Sequence, residues 1–311
     1  MRTLGIDTSN YTTSAAVFDG VTGQNAGRLL TVRSGELGLR QSDALFQHVK
    51  ALPARLEELR QAGWLEELAA VGASDRPRAV EGSYMPCFLA GDSLGQALSL
   101  TLGVPFYRVS HQQGHLAAAA WSAGQTELLD RPMLAWHLSG GTTELLYVEP
   151  DGVNVSAQKI GGTSDISAGQ LIDRTGVLLG LDFPAGKAVD ALAGDGEHGK
   201  FRVKLNDLTF SLSGMENKVK AMAEQGEAPA AICGFVLETI SDVVRRATLA
   251  ALERYPGVPV LCSGGVASNR RLRAVLEGTC GAVFAQPRYS TDNAMGVAIL
   301  TRRLWEKEQE A

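Results

Sequence analysis

The 311-residue chain has little cysteine, no long apolar run and no surplus of positive charge, and each absence removes a class of protein. Its four cysteines, Cys87, Cys233, Cys262 and Cys280, lie far apart and form no CxxC pair. Neither a zinc knuckle nor a disulfide framework is signalled, and reduced, packed thiols are expected. No stretch approaches the ~18 consecutive apolar residues of a membrane helix. The opening residues 1–7 reach the carboxylate of Asp7 before an apolar leader core can form, so a cytoplasmic protein with no membrane partner is expected. With 29 Lys and Arg against 34 Asp and Glu, the net charge is −5. No global basic field draws in nucleic acid, although a local basic patch stays open. The sequence also lacks the GxxxxGKS/T of a P-loop, a GxGxxG after a strand, and the HExxH of a metalloprotease.

What is present reads as a globular α/β protein. The 45% hydrophobic and 20% charged content is ordinary, and the length suggests two domains or one large α/β unit. Glycine is in surplus: 35 residues, about 11%, against a usual ~7%. Residues 4–6 read as a strand, 7–14 as a polar loop, and Ala15, Val17 and Phe18 as a returning strand. Leu45, Val49, Leu52, Leu56 and Leu59 recur at helical spacing, with Ser42 as a cap and Pro53 as a kink or restart. A helix is expected at about residues 92–103 and a strand at 104–109. The second half offers strands at 133–138 and 144–148 around a Ser-Gly-Gly-Thr-Thr loop, then helices at about 164–179 and 232–254. A strand at 258–262 follows, turning into a helix near Arg270. Two halves that each open on a hairpin and interleave helices predict a duplicated α/β fold.

Two groups of residues can carry chemistry. His111 and His115 lie four apart at the start of an apolar helix, about 40° apart around its axis, so both imidazoles can face one metal ion. Gln112 stands where a metallopeptidase needs its glutamate, which argues against peptidase chemistry. The best third ligand is Asp292, just before the final helix, although a helix cap is an equally good reading of that residue. Two histidines and a carboxylate suit iron(II) or zinc with open positions. The second group is four glycine and hydroxyl loops, beginning at Asp7, Ser139, Gly161 and Ser263. Such loops present unhindered backbone N–H groups of the kind that cradle phosphate, and together they favour a nucleotide cleft.

Together these motifs resemble the TsaD family, also known as O-sialoglycoprotein endopeptidase-like proteins. The resemblance rests on Gly5-Ile6-Asp7-Thr8-Ser9, the HxxxH of His111 and His115, and Ser139-Gly140-Gly141. It continues with Ala168-Gly169 and Asp173, the segment from Leu178 to Gly186, and Phe210-Ser211-Leu212-Ser213-Gly214. It closes on Gly264 to Arg270 and on Thr291-Asp292-Asn293. The resemblance implies a two-lobed actin, Hsp70 and sugar-kinase-like fold of duplicated RNase H-like domains with an interlobe cleft. The first lobe would span 1–120 plus 293–311 and the second 121–292. It implies transfer of threonylcarbamoyl from threonylcarbamoyl-adenylate to an adenosine of tRNA, and partnership with a TsaB-like protein or a second copy. His111, His115 and Asp292 would hold the metal. Leu138, Ser139, Gly140, Gly141, Thr142, Asp173, Gly186, Asp190 and Asn269 would hold the adenine nucleotide.

The chain departs from the family's pattern at several positions. Tyr11 and Thr12 replace an Asp-Glu pair, Thr142 a histidine, and Glu216 a lysine. Asp165 is kept from an acidic pair, with Ile166 beside it and Gln170 for a later glutamate; Gly82-Ser83-Tyr84 replaces a glycine-proline-glycine segment. A catalytically diverged metal- and nucleotide-binding paralogue, serving as scaffold or regulator, is therefore the alternative reading. His48 is expected to pack or hydrogen-bond on its helix, His137 and His198 carry no assigned role, and Trp64, Trp121, Trp136 and Trp305 form no stacking pattern. Arg245, Arg246, Arg270, Arg271, Arg273, Arg302 and Arg303 form either solvated helix faces or a strip for tRNA.

Overall fold

Two mixed β-sheets organise the chain in a computed structural model that describes residues 1–9, 11–32 and 39–311. The chain divides into two compact units. The first comprises Met1–Arg131, Glu149–Ala157 and Asp292–Ala311, and the second Pro132–Val148 and Gln158–Thr291. Where the sequence suggested a break after residue 120, compactness places it after Arg131 and assigns Glu149–Ala157 and Asp292 to the first unit.

The first unit begins with β1 (Arg2–Thr8), β2 (Thr12–Phe18) and β3 (Gly23–Leu29), an antiparallel meander. The opening hairpin is tighter than its composition suggests. Asp7 and Thr8 pair with Ser14 and Thr13, so strand pairing extends into the expected loop; Asn10, within that loop, lies outside the described residues. Polar side chains at 12–14 had argued for loop, but strand β2 is buried along its whole length. Its hydroxyls find partners there: Ser14 Oγ donates to the Asp7 carbonyl and Thr13 Oγ1 meets His48 Nδ1 at 2.8 Å. Helix α1 (Gln41–Gln61) starts before Ser42 and runs through Pro53. Pro53 removes one intrahelical bond, to Val49, which sits 56% exposed on the solvent face where water can replace it. Strand β4 (Leu68–Arg76) follows, then helix α2 (Leu89–Leu102), which ends on Gly103 in the left-handed conformation. Strand β5 (Phe106–Ser110) leads into helix α3 (His111–Ser122). The sheet order is β3-β2-β1-β4-β5, with β4 and β5 parallel to β1.

The second unit contains β6 (Met133–Leu138), which forms a hairpin with β7 (Thr143–Asp151), and the later part of β8 (Asn154–Thr163); the end of β7 and the start of β8, within Glu149–Ala157, belong to the first unit. Helices α4 (Ala168–Leu178) and α5 (Gly186–Ala193) precede the short strands β9 (Leu205–Asn206) and β10 (Thr209–Phe210). Helices α6 (Ser213–Glu224) and α7 (Pro229–Arg254), strand β11 (Val260–Ser263), helix α8 (Arg270–Cys280) and strand β12 (Val283–Phe284) complete it. Its sheet order is β12-β11-β6-β7-β8-β10-β9. The apolar face of α7, including Ile240, Val243 and Val244, packs into a core around Trp136. The Trp136 indole donates to Thr248 Oγ1 at 2.9 Å, so burial leaves no unpaired N–H.

The last helix, α9 (Met295–Glu310), groups with the first unit and lies on β1, β2 and β4. Glycines set how closely it approaches. A Cβ on Gly5 would lie 2.7 Å from the Ala294 carbonyl oxygen, and one on Gly296 would fall on the Gly114 carbonyl of α3. Backbone therefore touches backbone where α3 and α9 cross. Among the described residues no helix is long and apolar enough to cross a membrane.

Candidate functional site

Ser110 ends β5 in extended conformation and caps α3 with a full capping box. Its hydroxyl accepts from the Gln113 N–H, and the Gln113 side chain accepts from the Ser110 N–H. The box fixes His111 as the first helical residue, and one turn later His115 lies on the same face. The glycine crossing of α3 and α9 then brings the segment before α9 alongside. Asp292 is not the cap of that helix, because Asn293 Oδ1 accepts from the Met295 N–H instead. The Asp292 carboxylate turns to the histidines.

The result is a compact donor set. His111 Nε2 and His115 Nε2 are 2.9 Å apart, Asp292 Oδ1 is 3.2 Å from His115 Nε2, and it is 3.6 Å from His111 Nε2. An ion about 2.1 Å from each donor separates neighbouring ligands by about 3.0 Å at right angles and about 3.4 Å at tetrahedral angles. The three separations bracket both values, so the donor set fits a divalent ion of the kind that takes imidazole and carboxylate. Side-chain exposures of 20% for His111, 12% for His115 and 31% for Asp292 leave one side open to a further ligand.

Behind the histidines stands a residue expected at the start of a phosphate-cradling loop, and the structure places it in strand β1 instead. Asp7, fully buried at the end of β1, accepts from His111 Nδ1–H at 2.9 Å through Oδ2 and from the Ser74 hydroxyl through Oδ1. That bond holds the proton on Nδ1 and presents Nε2 as the ligating atom. The available signal was an acidic side chain inside an otherwise apolar strand, Leu4-Gly5-Ile6-Asp7. Burial disfavours a charged His111, but the carboxylates of Asp7 and Asp292 outweigh it and carry its pKa up to about 10. Burial likewise opposes ionisation of Asp292, yet hydrogen bonds from the two histidines keep its carboxyl well below the usual range. Thr12 donates to Asp292 Oδ2 at 3.4 Å, so the residue replacing an acidic one is turned toward the site.

A second concavity lies wholly within the second unit, a cavity of about 760 Å³, a size that suits a small organic ligand. Gly140, Asp173, Gly186, Asp190 and Asn269 of the expected nucleotide set line it, while Leu138, Ser139, Gly141 and Thr142 do not. Leu138 is buried at the end of β6, and Ser139 and Thr142 close the hairpin turn on each other. Ser167 Oγ donates to the Gly140 carbonyl at 2.6 Å and ties the start of α4 to that turn. Asp173 accepts from the Ala185 N–H at 2.8 Å and holds the entry to α5. Asn269 caps α8 by accepting from Leu272 N–H at 3.0 Å and donates to Asp190 at 2.6 Å. The apolar walls, Ile172, Leu237, Val266 and Pro287, were not anticipated, because they look like ordinary core residues in the sequence.

The remaining candidates have local partners. Glu216 pairs with Arg174, and Asp165 accepts from Ser211 and from the N–H groups of Leu212 and Ser213. Gln170 completes the capping box of α4. His48 is fully buried against Thr13, and desolvation lowers its pKa despite Asp7 nearby. His198 bonds the Ala193 carbonyl. Arg245 and Arg246 pair with Asp242, Arg270 with Asp190, Arg271 with Glu238, Arg273 with Glu277, Arg302 with Glu306 and Arg303 with Asp130. The arginines thus read as paired helix faces.

The two sheet-based units give the chain an α/β fold of the actin, Hsp70 and sugar-kinase type. Solved structures agree on the fold. Full-length HypF is similar with a TM-score of 0.61 at 13% identity, over 98% of this chain and 46% of that one. A ROK hexokinase from Thermus thermophilus is similar with a TM-score of 0.51 at 14% identity, over the whole of both chains. Residues 42–299 match the family described as TsaD, tRNA N6-adenosine threonylcarbamoyltransferase. A tRNA N6-adenosine threonylcarbamoyltransferase of Streptococcus pneumoniae is 35% identical over 279 residues, 85% of this chain and 80% of that protein. The chain belongs to the TsaD family, whose members are transferases.

Proposed function

We propose that this protein transfers a threonylcarbamoyl group from threonylcarbamoyl-adenylate to the exocyclic amine of an adenosine in tRNA, with iron(II) or zinc held by His111, His115 and Asp292. The observation that carries the reading is the set of three donor atoms 2.9 to 3.6 Å apart in a chain of this family. When bound, the ion supplies Lewis-acid polarisation of a carbamoyl or phosphate oxygen. Asp7 keeps the His111 proton on Nδ1, and Thr12 steadies the outer oxygen of Asp292. The cavity lined by Gly140, Asp173, Gly186, Asp190 and Asn269 would take the adenylate, with its apolar walls on the base and its glycine N–H groups toward the phosphate. The amine attacks the carbamoyl carbon, the bond to the phosphate oxygen breaks, and AMP and a proton leave. No protein nucleophile is required, because the acyl group arrives activated.

The reaction is tested by incubating the protein with threonylcarbamoyl-adenylate, unmodified tRNA and the family's partner proteins, including a TsaB-like one, and seeking the modified nucleoside by mass spectrometry. Modified adenosine is expected, and no product under these conditions overturns the transferase reading in favour of a diverged scaffold. The Asp7 arrangement makes a separate prediction. Asp7→Asn can turn its amide N–H toward Nδ1 and drive the proton to Nε2, so metal affinity should fall about 10–100-fold. Competition against a chelator measures this, and an unchanged affinity removes Asp7 from the site.

A further inference from the structure

Among the residues lining the 760 Å³ cavity, the charged side chains are Asp173, Asp190 and Lys187. The two carboxylates are already engaged. Asp173 accepts from the Ala185 backbone, and Asp190 is held by Asn269 and by Arg270 Nε at 3.3 Å. Lys187 is exposed at the cavity and has no hydrogen-bond or ion-pair partner among the described residues. Its position also has a stability cost, since it stands in the first turn of α5, where the positive end of a helix disfavours a cation. No acidic side chain of that turn offsets the cost. Beside it, Gly140, Gly186 and Gly265 line the same cavity with open space where a Cβ would be. A small tetrahedral anion can therefore come close to backbone N–H groups and to the ammonium together.

We propose that Lys187 is a specificity residue of this cavity that selects a phosphorylated nucleotide over the neutral nucleoside by contacting the 5′-phosphate. The inference rests on the reading of the cavity as the nucleotide site and adds a role for one side chain to it. Lysine suits a phosphate as a compact point charge on a flexible stem that can follow the group. Neither carboxylate of the cavity forms an ion pair with the Lys187 ammonium among the described residues.

Titration calorimetry of the full-length protein with adenosine and with AMP, in parallel, tests the proposal. Wild type should bind AMP at least about tenfold more tightly than adenosine, an advantage that shrinks as salt rises. Lys187→Met should erase most of that advantage and leave adenosine affinity within about twofold, while Lys187→Arg should keep it. If Lys187→Met binds AMP as wild type does, or if wild type binds adenosine and AMP equally, the role of Lys187 is overturned and the nucleotide reading stands. If wild type binds neither compound, the nucleotide reading of the cavity falls, and the Lys187 proposal with it.

Discussion

His115→Ala protein, loaded with iron(II) or zinc and then dialysed, is expected to retain less than about one-tenth of the metal that the wild type keeps. His115 supplies one of the three side-chain donors that meet there among the described residues, and its Nε2 stands 2.9 Å and 3.2 Å from the other two. Loss of an outer-shell partner alone typically costs 10–100-fold in affinity, so loss of a ligand should cost at least about a hundredfold. The folded chain should survive, because the side chain lies at the edge of the unit with 12% exposure and α3 keeps its capping box. Melting in chelator separates the two effects. Wild type and variant should unfold within about 2 °C of one another when metal-free. Added metal should stabilise only the wild type, by about 2.7 kcal/mol at a hundredfold excess over its dissociation constant. Equal metal content in the two proteins would remove His115 from the ligand set.

Gly296→Ala carries the second large effect. Its Cβ would overlap the Gly114 carbonyl of α3 and stand 2.9 Å from the Ala118 nitrogen, so the obstructing atoms are backbone rather than a yielding side chain. Overpacking of this kind costs about 1–3 kcal/mol, and a backbone obstruction belongs at the upper end. For a unit of this size that lowers the melting midpoint by about 5–10 °C. The same shift moves α9 away from α3 and Asp292 away from His111 and His115, so metal retention should fall as well. Gly114→Ala is the internal control. Its Cβ would meet Val297 Cγ2 at 3.3 Å, a side chain that can yield, so the loss should stay below about 1 kcal/mol. Gly296→Ala with unchanged melting and full metal content would show that the close crossing does not build the site.

Parts of this were legible in the sequence for definite reasons. The spacing of His111 and His115 is a local property, because the helical repeat places residues four apart on one face. The strands expected at 133–138 and 258–262 are apolar runs bounded by turns, and they form at Met133–Leu138 and Val260–Ser263, the second displaced by one or two residues at its ends. The opening hairpin shows the opposite. Its hydroxyl-rich residues 12–14 look like loop until the surrounding helices and strands supply hydrogen-bond partners that permit burial. Asp292 was ambiguous between cap and ligand, and only the rival bond from Asn293 to Met295 N–H decides the helix side of that question. Glu216, read as a charge reversal, has Arg174 across from it, 42 residues away in the chain.

By itself, the sequence determined the α/β pattern, the histidine pair and the motif order that marks the TsaD family. Each is a matter of period, spacing or residue type along a single stretch of chain. The tertiary structure decided which carboxylates meet which imidazoles and which charged side chains line one cavity. Those depend on backbones 182 residues apart meeting at Gly114 and Gly296, and on Asp7 lying buried behind His111. Contacts of that kind follow from close packing, and no local periodicity encodes them.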